Sequence, residues 1–470
     1  MAHYHLLGIC GTAMGSLAGM LIERGHRVTG SDANVYPPMS TQLEAMGIPI
    51  NLGYKAENLT ERPDIVVVGN TINRGNPEME AVLDRRWRHE SMTEVLRLEF
   101  LINRRVLVVS GTHGKTTTTA LAAWILETAG LNPSFLVGGV AENFGQSFRV
   151  TDGDFFVIEG DEYETSFFDK GPKFMHYVPE ITILNNVEFD HADMYPDVAA
   201  IKLAFQRLIH IIPRSGRLVA GYDSPIVREL SPRALCPIES FGLDTSDTPL
   251  EWTAKDIRYT DAGMTFTILH RNEPFLECTT PLAGKFNIRN ILAVVAAATA
   301  WGADPEKIRE GLATFKSVKR RMQVRGEING ITVIDDFAHH PTAVRETLDA
   351  ISQKYAGRRV IAIFEPRSWS SRKKVFQHEY EQAFDEAHRV VLTPIFESFK
   401  LQADDQFSPQ QVISVLREKG IPADVIDGAD AIIEKVVPEL REGDVVAIMS
   451  NGGFGGIHEK LLTRLKAGCL

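Results

Sequence analysis

Gly111, Thr112, His113, Gly114, Lys115, Thr116 and Thr117 form one uninterrupted run whose residue types can hold a chain of phosphates. Glycine lets backbone approach an anion closely, and consecutive N–H groups at a helix start point toward it. Lys115 is placed to neutralise the β- and γ-phosphates, and the Thr116 hydroxyl to ligate Mg2+. A complete Walker A pattern has glycine at position 109, which is Val here, so the run reads G-x-x-G-K-T. A purine nucleoside triphosphate is the expected ligand. Its magnesium needs further donors, and two acidic turns follow: Glu159-Gly160-Asp161-Glu162 and Glu188-Phe189-Asp190-His191. Taken alone, the first would pass as a solvated turn. Beside the phosphate loop and the second turn, Glu159 and Asp190 or His191 are placed to reach the metal with Thr116.

These groups need a scaffold that brings separate segments to one edge. Apolar strands are expected over residues 105–110, 154–158 and 181–185, with a helix over 119–129 after the phosphate loop. In a parallel sheet the strand C-termini share one edge, where ligands collect. The same strand, glycine turn, helix pattern opens the chain: a strand over 4–9, then Gly11, Thr12, Met14 and Gly15 leading into a helix. Strands over 26–30 and 64–69 end at Ser31-Asp32 and at Asn70. Taken alone, this module leaves a dinucleotide site open, although its loop fails G-x-G-x-x-G at Cys10 and Ala13. A third series runs over 331–335, 360–364, 390–394 and 444–449. The expectation is an α/β protein of three domains in series, 1–104, 105–322 and 323–470: Rossmann-like, P-loop ATPase-type parallel sheet, Rossmann-like. The basic run 316–321, KSVKRR, suits a hinge or a phosphate-facing connector.

The 470 residues carry 50 Lys+Arg against 61 Asp+Glu, a net charge of −11, which argues against a sequence-independent nucleic-acid binder. With 44% hydrophobic and 24% charged residues, the chain is neither disordered nor collagen-like. Cys10, Cys236, Cys278 and Cys469 are far apart, which fits a reducing compartment and offers no zinc spacing. No run is long and apolar enough to span a membrane, so a cytoplasmic location is expected and the oligomeric state is left open.

In order, GTHGKTTT, EGDE, NNVEFDHADMY, GKFNIRN and DDFAHHP resemble the Mur ligases of peptidoglycan synthesis. The resemblance implies three domains for UDP-sugar, ATP and amino acid or peptide, with ATP as co-substrate, Mg2+, and amide formation through an acyl phosphate. It implies Lys115 on the transferred phosphoryl group, Thr116 and Glu159 on one Mg2+, and His191 on a second. Asn287 and Asn290 would contact adenine, Arg321 a phosphate and Asp336 the ribose. Gly11, Thr12, Met14 and Gly15 would face the pyrophosphate, and Ser31, Asp32 and Asn70 would line the uridine pocket. Where several relatives carry a carbamoylated lysine, this chain has Phe205 and Gln206, so no carbamate is expected. The runs GICGTAMG, SDANVYPPMSTQLE, GNTINRGNPEMEAVL, FEPRSWSSRKKVFQ and SNGGFGGIHEK resemble the branch that adds a murein tripeptide to UDP-N-acetylmuramate. The L-alanine-adding branch is the alternative.

Incoming amines need a proton acceptor, for which His339, His340 or a carboxylate serve; packing beside Pro341 is the plainer reading of the two histidines. Arg367 and Arg372 follow the strand expected at 360–364 and suit bidentate capture of peptide carboxylates, or else lie in a solvated loop.

Overall fold

A computed structural model describes residues 1–35, 39–192, 194–244, 248–260, 263–397, 399 and 402–468, save the side chain of residue 403. Tyr36, Pro37 and Pro38 of the SDANVYPP run, Asp193 of the HADMY run and Cys469 lie outside these. The first sheet is fully parallel, in the order Ile50–Leu52, Arg27–Asp32, His3–Leu7, Ile65–Val68, His89–Ser91. Successive side chains alternate between faces: Val67 joins one buried cluster, Val66 and Val68 the other. The opening strand stops at Leu7, two residues short of expectation, because Gly8 takes φ 82° and turns the chain.

The central sheet has ten strands. Its seven parallel members run Trp252–Thr260, Ile238–Phe241, Arg217–Gly221, Ile181–Leu184, Arg105–Ser110, Phe155–Gly160, Ser134–Ala141. The centre agrees with the expected parallel sheet, and antiparallel strands extend it at both flanks. Gln146–Arg149 pairs antiparallel on one side, and Trp252–Thr260, Gly263–His270 and Glu273–Thr280 form an antiparallel meander on the other. The meander strands alternate buried and open residues, as a sheet with one wet face does, whereas Ile181–Leu184 is buried throughout. The helix after the phosphate loop is Lys115–Thr128 and begins earlier than expected. Four consecutive threonines disfavour helix locally, but here they are buried and held behind Gly114.

The third sheet runs Gln323–Ile328, Ile331–Asp336, Val445–Met449, Val360–Phe364, Arg389–Leu392, Ala423–Val425, parallel except for the first pair. The first sheet is joined tightly to the central one: Phe148 of the Gln146–Arg149 strand sits where a Cβ on Gly19 would be. Among the described residues no helix is long and apolar enough to cross a membrane.

Candidate functional site

Strand Arg105–Ser110 feeds residues 111–114 and then the helix Lys115–Thr128. The turn requires two glycines. Gly111 has φ 130° and Gly114 φ 83°, and a Cβ on Gly114 would lie 2.6 Å from Asn290 Oδ1. Asn186 clamps the loop from below, its backbone carbonyl accepting from Thr112 N at 3.0 Å and its Oδ1 from His113 N at 2.8 Å.

Lys115 is 8% exposed, and its Nζ donates to Gly111 O at 2.8 Å and to both Glu162 oxygens at 3.0 and 2.9 Å. Glu162 Oε1 also lies 3.2 Å from His191 Nε2. Burial alone would depress the lysine, but Glu162, Asp161 and Glu159 outweigh it and hold the ammonium above its ordinary pKa. Burial would raise Glu162, yet Lys115 and His191 keep its carboxyl below the usual range. His191 follows the same logic: burial lowers it, and Glu162 and Asp190 carry it above the ordinary imidazole value. Lys115, Glu162 and His191 are therefore one charged unit. Glu162 was not among the expected site residues, and its only sequence signal is the EGDE turn.

Glu159 ends the strand Phe155–Gly160 and accepts from Thr116 Oγ1 at 3.2 Å and Gly138 N at 2.5 Å. Burial, with Asp161 nearby, pushes its carboxyl up to about 7. Arg321 Nη2 donates to Thr116 Oγ1 at 3.2 Å, and its guanidinium stacks 4.9 Å from the Phe337 ring. Thr116, Glu159 and Arg321 thus meet directly, while His191 reaches the loop through Glu162.

A cavity of about 330 Å³ opens beside the loop. His113, Gly114, Thr116 and Thr117 form one wall; Asn287, Asn290, Arg321 and Asp336 complete it from helix Lys285–Ala300, the 316–321 connector and the end of strand Ile331–Asp336. Of the expected nucleotide residues, Gly111, Thr112 and Lys115 do not line it. Asn290 donates to Asn287 Oδ1 at 3.2 Å, and Asn287 to Ala283 O at 2.7 Å. Asp336 uses both oxygens internally, accepting Met322 N at 2.7 Å and Ala338 N at 2.8 Å.

At the first sheet, Gly11 and Thr12 are open at the start of helix Thr12–Glu23, and Asn70 is exposed. Met14 is a core residue, and Gly15 lies under Met39, whose Sδ is 2.3 Å from where a Cβ would be. Ser31 Oγ donates to Glu78 Oε1 at 2.8 Å, and Glu78 in turn lies 3.0 Å from His5 Nε2. Asp32 accepts from Cys10 N and Asn34 N, both at 2.9 Å, so it shapes the loop rather than standing free. Glu78 and His5 are buried polar groups the sequence reading passed over, because each sits in an otherwise ordinary element.

The third sheet separates its two histidines. His340 Nε2 lies 3.3 Å from the Phe189 carbonyl, and its Nδ1 accepts from Thr342 N at 3.3 Å, capping helix Pro341–Lys354. Both nitrogens are committed. His339 Nδ1 donates to Phe337 O at 3.0 Å, and Nε2 has no partner among the described residues. Arg372 is buried and donates to Phe396 O at 3.0 Å, while Arg367 stacks 3.8 Å over the Phe396 ring. The solvated-loop reading of these arginines is therefore corrected, at Arg372 above all.

Burial, reinforced by His113, pushes His340 down to about 3. An unfolded histidine titrates near 6.5, so on acidification the unfolded chain takes the proton first and stability falls below that pH. His340→Asn keeps a capping side chain without the titration. The stability gap between wild type and H340N is expected to narrow by about 2 kcal/mol from pH 6.5 to 5, at about 1.4 kcal/mol per unit. Denaturant melts at the two pH values check this, and a constant gap would rule it out.

Fold and site together define a nucleotide-binding α/β protein in which the central and third modules meet at a phosphate loop. Three family models match the chain: "Mur ligase family, catalytic domain" over residues 3–99, "Mur ligase middle domain" over 109–298, and "Mur ligase, glutamate ligase domain" over 320–452. The UDP-N-acetylmuramate–L-alanyl-γ-D-glutamyl-meso-2,6-diaminoheptandioate ligase of Haemophilus influenzae is 41% identical, over 99% of this chain and 100% of its own. The UDP-N-acetylmuramate–L-alanine ligase of Desulforapulum autotrophicum is 31% identical over 98% of each. The crystal structure of a murein peptide ligase from Psychrobacter arcticus superimposes with TM-score 0.73 at 36% identity, covering 99% of both chains. The chain belongs to the Mur ligase family.

Proposed function

We propose that this chain is an ATP-dependent ligase that joins L-alanyl-γ-D-glutamyl-meso-diaminopimelate to the lactyl carboxylate of UDP-N-acetylmuramate, a cytoplasmic step of peptidoglycan recycling. The observation that carries the reading is the cavity at the phosphate loop, walled jointly by Thr116, Asn287, Asn290, Arg321 and Asp336. The higher identity to the tripeptide ligase than to the L-alanine ligase favours the tripeptide as acceptor. Residues 1–104 take the UDP-sugar, 105–322 the ATP and 323–470 the peptide.

A carboxylate resists an amine because its leaving group would be oxide. Its oxygen instead attacks the γ-phosphorus of ATP, the bond to the β-phosphate oxygen breaks, and ADP leaves an acyl phosphate. The tripeptide amine then attacks the acyl carbon, phosphate departs, and the amine loses its proton. Phosphoryl transfer asks the protein mainly for positioning and for charge opposite the migrating group. Lys115 and Arg321 supply that charge. Thr116 Oγ1 and the Glu159 carboxylate converge as hard oxygen donors, and this pair fits Mg2+, while His191, held by Glu162, is the further ligand that the family resemblance implies. Bound there, Mg2+ would neutralise phosphate charge. His339 is the base we assign to the amine, since its Nε2 is uncommitted whereas His340 caps a helix. Arg367 is the more open of the two arginines toward a peptide carboxylate.

The deciding assay supplies ATP and UDP-N-acetylmuramate and measures phosphate release with tripeptide, with L-alanine and with no acceptor. Tripeptide-dependent release is expected. Release that follows L-alanine would transfer the chain to the alternative branch, and acceptor-independent hydrolysis would remove the ligase reading.

A further inference from the structure

Ser370 belongs to the third sheet's loop after strand Val360–Phe364, yet its side-chain hydrogen bonds are made to the central module. It is 4% exposed, donates from Oγ to Asp190 Oδ1 at 2.6 Å, and accepts the His191 N–H at 3.2 Å. Asp190 Oδ1 accepts the same N–H at 2.7 Å. Two oxygens, themselves hydrogen-bonded, thus hold one N–H. That N–H belongs to His191, which has φ 53°, a left-handed conformation that a non-glycine residue keeps only where its surroundings enforce it. Lys373, three residues beyond Ser370, donates to Ala192 O at 3.4 Å and closes the turn from the other side. From His191 the contacts continue inward, through Glu162 to Lys115.

We infer that Ser370 is a positioning residue: by docking on Asp190 and His191 it lets the peptide-side module set the His191–Glu162–Lys115 unit for phosphoryl transfer. The inference rests on the proposed ligase reading. Its physical content is that the strained His191 turn is held by a hydroxyl from another module, so the phosphate site is correctly formed only while that module is seated. Had Ser370 only served to pack the loop, its neighbour Ser371, fully buried and bonded to Ser368 within the loop, would be the model for it.

The test uses the full chain with Ser370→Ala, Ser370→Thr and Ser370→Cys. Wild type is assayed first for tripeptide-dependent phosphate release; failure there removes the ligase reading, and amide exchange then decides Ser370 by itself. S370A is expected to lower kcat about 10- to 100-fold, the worth of one hydrogen bond to a charged group, with the tripeptide KM unchanged. S370T keeps the hydroxyl and should restore kcat to within about threefold of wild type, and S370C, a weak donor, should fall between. In the protein without ligands, deuterium uptake across residues 187–195 should quicken about tenfold in S370A and stay at the wild-type rate in S370T. Wild-type kcat in S370A or S370C, S370T as slow as S370A, or unaltered exchange in S370A each overturn the inference. If S370A does not fold, the S370T and S370C pair carries the comparison.

Discussion

Lys115→Met is expected to lower kcat by about 10³-fold or more, the scale for removing one preorganised charge from the transition state. The lysine is fixed on three sides: Gly111 O and both oxygens of Glu162 hold its ammonium at the base of the phosphate loop. Methionine keeps the length of the side chain and its packing, so the loop glycines and Asn186 still shape the turn. The loss should appear in kcat and, because Glu162 is left buried with His191 as its remaining partner, in stability as well. Single-turnover phosphate release from ATP and UDP-N-acetylmuramate measures it, with circular dichroism melts as the control for folding. A K115M enzyme within about tenfold of wild type would show that Arg321 and bound cations suffice for the charge.

Glu162→Ala carries the second large effect, and it falls on stability as well as activity. Removing one member of a buried ion pair leaves the other charged and desolvated, at a cost of about 3–5 kcal/mol. Here Lys115 is 8% exposed, and His191 at the same time loses the nearer of its two carboxylates. The pH dependence follows from the direction of the shift. The Glu162 carboxyl is held below its usual value in the fold, so its stabilising contribution is complete above the unfolded value and is lost as pH falls through the folded one. The gap between wild type and E162A should be widest near neutrality and shrink below about pH 4.3, the unfolded glutamate value. Denaturant melts at pH 7 and pH 4 test this; equal gaps would mean that Glu162 carries no charge in the fold. Activity should fall about 100-fold, because Lys115 and His191 are both released from their positions.

Much of this site is legible in local sequence because its chemistry is local. A phosphate loop is made by neighbours: strand, two glycines at positive φ, Lys115, Thr116 and helix, all within one window. The buried inner strands of the three sheets follow from apolar periodicity in the same way. The antiparallel flanks of the central sheet did not, since strand direction is set by which strand lies alongside, and a short apolar run reads alike in either sense.

The sequence by itself set the expectation that Gly111 through Thr117 hold a nucleoside triphosphate, and located the acidic turns in the chain. Tertiary structure alone decided which acid serves which partner. Glu159 ends a strand and meets Thr116, whereas Glu162, past the bend, meets Lys115. It also decided that His340 caps a helix while His339 keeps a nitrogen, and that Ser370 reaches Asp190 across 180 residues of chain. The physical reason is the range of the forces involved. Backbone conformation and helix initiation depend on adjacent residues, but an ion pair or a hydrogen bond depends only on distance in space, and the packing of buried clusters shared between modules sets that distance.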